Sequence, residues 1–240
     1  MKRKILGLFA MMLVVPVALV MVACNRDKDN ADDYMTLAQF RAALANAVDS
    51  HGGDSAKPFV ARTSSNAAST TDINMMIIMQ DGTGSTARMT FVGDKIVTEM
   101  INKEGESHIA SVISGDRMFE FSEYEKSWVE YKDFKKEDSI WMIEYLHALV
   151  NPDFFELSDS LSTRNQKVYN VLEDKKSEMN FGNSNTIVND AQILVTAKNV
   201  FRFTMVLGAA NTSETQTVVF QFIYGGQQIV IPGEVQTLLA

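Results

Sequence analysis

The 240-residue chain has a single cysteine, three histidines and a shortage of basic residues. Cys24 has no second thiol to pair with, which excludes an intrachain disulfide framework and a cysteine-rich metal site. His51, His108 and His147 fall in a post-helix loop, a strand and a helix, and no two have the spacing of metal ligands. Gly-x-Ser-x-Gly, His-Glu-x-x-His, the Walker loop and the Rossmann glycine triplet do not occur. DGTGS at 81–85 is glycine-rich, but it lies between two strand patterns with no helix following, so it reads as a hairpin turn and not as a phosphate loop. No catalytic residue, metal or cofactor is expected on these grounds. Lys and Arg number 22 against 30 Asp and Glu, a formal charge of -8, which disfavours nucleic acid and anionic lipid headgroups as electrostatic partners.

The lone cysteine gains a meaning from its position. Lys2, Arg3 and Lys4 precede an apolar run from Ile5 to Val22, and Ala23 stands directly before Cys24. That is the order of a secretory signal peptide, with a basic start, an apolar middle and a small-residue cleavage site. Met21-Val22-Ala23-Cys24 resembles a bacterial lipobox, with Met21 where leucine is usual, and implies cleavage before Cys24 and acylation of its thiol. An uncleaved transmembrane anchor is the alternative, since the run is about long enough to span; Pro16 and the boundary at Cys24 suit processing better. Either way the chain is expected to be held at a membrane outside the cytoplasm. Loss of residues 1–23 removes three basic residues and brings the formal charge to -11. Asn25 is not the aspartate that signals retention at the inner membrane in lipoproteins sorted by that position, a hint that applies only where a cell has two membranes.

Residues 24–34 form the acylated cysteine and a charged tether, NRDKDNADDY, too polar to pack. Its aspartates lack the glycine and closing glutamate of an EF-hand, so a hydrated spacer is preferred over a calcium loop. Residues 35–240 are expected to form one domain. Thr36-Leu37-Ala38-Gln39 is a capping box, followed by Leu37, Phe40, Leu44, Ala47 and Val48 at helical spacing until His51-Gly52-Gly53. From about residue 71 the period becomes two. Strands are expected at 72–80, 85–92, 95–101, 107–113, 117–121 and 127–131, joined by short turns that make neighbours antiparallel. GDKIVTE at 93–99 and GDRMFEF at 115–121 mark two similar hairpin turns. A mostly buried helix is expected at 138–150, with a polar strip near Glu144 and His147. Strands resume at 168–172, 192–197, 199–207 and 217–224, and Gly225-Gly226 is expected to close a hairpin onto 228–231. Such a sheet is too long to stay flat.

Several strands are apolar on both faces, as in Ile73-Asn74-Met75-Met76-Ile77-Ile78-Met79. A sheet with one wet face alternates cleanly, so these strands call for helices over one face and further cover or a lined cavity elsewhere. The methionines suit either an adaptable apolar lining or the filling of an irregular core.

The acylated cysteine, acidic tether, amphipathic helix, antiparallel run with GDRMFEF and EKSWVEY, inserted buried helix and FQFIYGGQQIVIP resemble the LolA/LolB and LppX/LprG lipoprotein superfamily. The resemblance implies an α+β fold: a single highly curved antiparallel half-barrel of about 10–11 strands, with helices covering the concave face and a hydrophobic cavity between. It places Met75, Ile77, Met79, Met89, Phe91, Phe220 and Phe222 on the cavity lining and Trp141, Tyr145 and Leu149 on the lid. The opposite strand parity is the alternative, because a one-residue slip in register swaps the set. The implied function is a non-enzymatic, membrane-anchored cell-envelope lipoprotein that binds a lipid or other hydrophobic ligand, in trafficking or envelope maintenance. The alternative is a protein-binding or envelope-sensing lipoprotein with a packed core.

Overall fold

The computed structural model describes residues 34–50, 56, 73–80, 84–135, 140–179, 186–197, 199–209 and 214–240. Cys24, the tether, His51 and the first residues of the DGTGS turn lie outside them. So do the side chains of Ser50, Trp141 and Ala197.

Helix α1 (Leu37–Ser50) begins as its sequence requires. The Gln39 amide donates to Thr36 Oγ1 at 3.2 Å, and the Thr36 amide donates to Gln39 Oε1 at 2.8 Å, so the capping box satisfies two backbone donors. Leu37, Phe40, Leu44, Ala47 and Val48 form its buried stripe.

The first meander is β1 (Asn74–Gln80), β2 (Thr86–Val92), β3 (Lys95–Ile101), β4 (Ser107–Ser114), β5 (Arg117–Ser122) and β6 (Ser127–Glu130). The repeated Gly-Asp turns put Gly93 and Gly115 at φ of 59° and 60°, a left-handed conformation that glycine adopts without strain. After α2 (Trp141–Leu149) come β7 (Phe155–Leu157), β8 (Lys167–Val171), β9 (Thr186–Ala197), β10 (Val200–Ala209) and β11 (Thr215–Tyr224), and the described chain ends in α3 (Gly233–Leu239). All eleven strands form one antiparallel sheet in the order β6-β5-β4-β3-β2-β1-β11-β10-β9-β8-β7, curved and not closed. Register shifts between β3 and β4 and between β9 and β10 add local twist.

Two faces are covered differently. On one, α1 and α2 enclose the main core with inward residues from β1, β2, β3, β4 and β7 to β11. Phe40 stacks on Phe201 with centroids 4.2 Å apart and meets Phe222 edge-on at 4.9 Å. On the other face, Val97, Val112 and Phe119 lie in one cross-strand row beneath Val235, Ile229, Ile231 and Leu239. The C-terminal segment thus covers β3, β4 and β5 on this face, and the outward residues Met76, Ile78 and Ile223 of the double-faced strands are not part of that cluster.

That segment corrects the expected hairpin. Residues 228–231 are not a strand, because both edges of β11 are already paired, with β1 and with β10. Gly225 and Gly226, at φ of 76° and 71°, turn the chain off the sheet. Asn74 pins it there: the Gln227 amide donates to Asn74 Oδ1 at 2.7 Å, and Asn74 Nδ2 donates to the Gln227 carbonyl at 3.0 Å. Arg117 holds the far end, donating to the Leu238 carbonyl at 2.8 Å while pairing with Glu130. Helix α2 also differs in detail, since His147 is buried where a polar strip is expected.

Phe40 of α1 stacks on Phe201 and meets Phe222 edge-on, so Phe40→Ala is expected to cost about 3–5 kcal/mol by urea unfolding. A loss below about 1 kcal/mol would show that α1 contributes little to the core.

Candidate ligand cavity between sheet and helices

The inner face is organised in cross-strand rows. Tyr224, Met75, Phe91, Ile96, Ile113 and Met118 follow one another across β11, β1, β2, β3, β4 and β5. The next row holds Phe201, Phe222, Ile77 and Met89, and the third Phe203, Phe220, Met79 and Ala87. Because side chains alternate with a period of two, each row is continuous on one face. The seven strand positions expected to line a cavity therefore do share the covered face. Met75, Ile77, Phe91, Phe220 and Phe222 are buried, and Met79 and Met89 are half-buried against them.

Tyr145 and Leu149 of α2 join the same cluster. Burial pushes the Tyr145 phenol above its ordinary range, because the phenolate would lose its hydration. Trp141 belongs to the same helix, and its side chain lies outside the described residues.

These side chains meet one another. Phe40, Phe91, Phe201, Phe203, Phe222, Met75 and Ile77 are among the largest fully buried groups, and they fill the space between α1 and the central strands. Open volume is found to one side of them. A pocket of about 310 Å³ lies between α1 and the adjoining ends of β1 and β11, lined by Ala43, Asn46, Ala47, Ile73, Asn74, Met75, Tyr224 and Gly225. Ala43 and Ala47 are one helical turn apart and so share a face of α1. Their methyl groups leave space where Phe40, a turn earlier, fills it.

Of these residues the sequence pointed to Met75 as a cavity position and not to Ala43, Asn46, Ala47, Ile73, Asn74, Tyr224 or Gly225. The available signal was the alanine pair at i and i+4 within an otherwise bulky apolar stripe. Tyr224 is the chemically distinctive member. Its ring meets Phe40 and Phe201 edge-on, and its hydroxyl is buried without a hydrogen-bond partner among the described residues. Burial raises its pKa well above that of a free phenol.

His108 is exposed on β4 and His147 is buried in α2. Among the described residues, no group of three or more His, Cys, Asp and Glu side chains is placed to hold a metal, and no helix is long and apolar enough to cross a membrane. Comparison with protein-family models, with catalogued proteins and with solved structures finds no match.

An unpartnered buried hydroxyl costs about 1–3 kcal/mol. Tyr224→Phe keeps the ring contacts and is therefore expected to raise stability by about 1 kcal/mol, read from the shift in the urea midpoint. A loss of more than about 1 kcal/mol would mean that the hydroxyl has a partner.

Proposed function

We propose that the chain is a non-enzymatic lipoprotein of the cell envelope, tethered through acylated Cys24, whose half-barrel holds an apolar ligand between the sheet and α1. The observation that carries this reading is the pocket of about 310 Å³ lined by Ala43, Ala47, Met75 and Tyr224, to one side of a packed inner face of Met, Ile and Phe. The lipobox pattern at 21–24 and the charged stretch after it support the tether. The order of elements, a capped helix, a long antiparallel sheet and an inserted buried helix, supports kinship with the LolA/LolB and LppX/LprG superfamily, with trafficking or envelope maintenance as the task.

A second reading has its own support. The stack of Phe40 on Phe201, with Phe222 against it and all three fully buried, favours a packed protein-binding or envelope-sensing module.

Native mass spectrometry of the full-length chain released from detergent separates the two. A discrete adduct of an apolar molecule on the acylated mass is expected for a ligand carrier; an acylated chain that never carries one favours the packed module. The tether is tested separately by Cys24→Ser, which is expected to move the protein from the membrane fraction to the soluble fraction with its circular dichroism unchanged. Continued sedimentation with membranes would identify the apolar run at 5–22 as an uncleaved anchor.

A further inference from the structure

Tyr34, where the tether meets the domain, is fixed to one particular loop. Its side chain packs against the main core, and its hydroxyl donates to the Arg164 carbonyl at 3.3 Å. Ten residue steps link Cys24 to Tyr34, at most about 35 Å of chain, so an anchored Cys24 keeps the membrane surface within that reach of Tyr34 and the 158–166 loop beside it. The cross-strand pairs Lys167–Val195, Val200–Ile223, Met76–Thr90 and Lys95–Ser114 place this loop at the same end of the sheet as the Gly93 and Gly115 turns.

The two ends differ in charge. At the opposite end, the turns at 102–106 and 122–126 hold four glutamates against two lysines. At the tether end, 93–95 and 115–117 each hold one aspartate and one basic residue, and 158–166 holds Asp159 and Arg164. Turns without net charge lose less hydration on approaching lipid than turns rich in glutamate, and anionic headgroups repel them less. The tether end also presents apolar side chains. Leu157, the last residue of β7, is 44% exposed, and Leu161 in the loop is 48% exposed. The backbone that carries them is largely satisfied from within. The Ser162 amide donates to the Ser158 carbonyl, the Thr163 amide to the Gln166 carbonyl and Gln166 Nε2 to the Leu161 carbonyl, while the Arg164 carbonyl accepts from Tyr34. These carbonyls give up no water on meeting an apolar surface, which removes a main cost of placing irregular backbone against lipid.

We infer that this end of the half-barrel faces the membrane, with Leu157 and Leu161 resting in the headgroup region of the lipid surface that holds Cys24. The tether makes the contact intramolecular, and an effective concentration in the mM range retains a patch too small to bind lipid alone. Tyr124, at the tip of the 122–126 turn, then points away from the bilayer. The inference rests on the reading of the chain as membrane-tethered and adds the orientation of the domain.

The test uses the full-length acylated chain in phosphatidylcholine vesicles containing lipid spin-labelled near the headgroup. With Cys24 acylated, Ser160→Cys or Tyr124→Cys supplies a single free thiol for an NBD fluorophore, each at an exposed position. The label at 160 is expected to be quenched by about half, since a group seated about 5–10 Å into the interface lies within reach of the spin label, and the label at 124 to be unaffected. Leu157→Asp combined with Leu161→Asp is expected to remove the quenching at 160 with circular dichroism unchanged and the chain still floating with the vesicles. Absence of quenching at 160 in a floating chain, or equal quenching at 160 and 124, would overturn the orientation. Quenching that persists in the folded double-aspartate variant would overturn the role of the leucines. A blue shift at 160 that spin-labelled lipid does not quench, and that grows with the protein-to-lipid ratio, would identify a second copy as the cover and overturn the lipid assignment. A chain that does not float with vesicles would overturn the tether reading itself.

Discussion

Everything else in the fold depends on the pairing of its first strand with its last. β1 and β11 meet in antiparallel register from Met75 opposite Tyr224 to Gln80 opposite Val219. Without that pair the chain would hold two separate meanders, β1–β6 and β7–β11, each with an exposed long edge that invites pairing with another chain. With it, the two become one sheet, and its central strands carry the residues on which α1 docks. The entropy of closing so long a loop grows only slowly with its length, so the arrangement is thermodynamically modest to achieve. What it demands is stabilisation at the point of closure. The Phe40, Phe201, Phe222 and Tyr224 cluster supplies it, with ring centroids between 4.2 Å and 6.2 Å apart.

The same pairing explains why a helix crosses the inner face. Once β1 and β11 are central, β6 and β7 become opposite edges, although they are neighbours in sequence. In a flat sheet ten spacings of about 4.8 Å would separate them by roughly 48 Å. The connection between Glu130 and Phe155 has to span from one edge to the other, and α2 is its middle. An apolar helix held at both ends against a long twisted sheet favours curling, because curvature lets the sheet wrap Ile143, Leu146 and Val150 on more sides. Curvature and cover are one solution to the connectivity.

Strand positions were legible in the sequence wherever short turns punctuated clean alternation, and β3 occupies 95–101 as its pattern implies. Register across the tight Gly-Asp turns was legible for a related reason, since they leave little freedom and set Phe91 opposite Ile96 and Ile113 opposite Met118; which parity faces inward was not legible, because a one-residue slip swaps the set. Other features depend on information that is not local. Residues 228–231 alternate like a strand, and only the full pairing list of β11 reveals that no edge remains for them. The three residues of β7 are too few for a period to register. The first half of β9 is polar on its outer side and interrupted by a register shift opposite Val206 and Leu207, which masks its alternation. Helix α3 follows Pro232 with only Val235 and Leu239 turned to the sheet, too sparse a stripe to stand out.

The pocket was the least legible feature because it arises from missing volume. Hydrophobic pattern reports which residues face inward, and it treats alanine and phenylalanine alike as apolar. On α1 they act in opposite ways. Phe40 fills the interface so completely that the central rows of Met, Ile and Phe form an ordinary packed core, whereas Ala43 and Ala47, one and two turns later, leave space above Met75 and Tyr224. The two functional readings are therefore statements about different turns of one helix. A packed module describes α1 at Phe40, and a ligand carrier describes it at Ala43. Native interiors rarely leave a void without consequence, since atoms lining it forfeit dispersion contacts. The gap beside Ala43 and Ala47 forfeits such contacts, and a larger side chain at either position would restore them only by giving up the open volume.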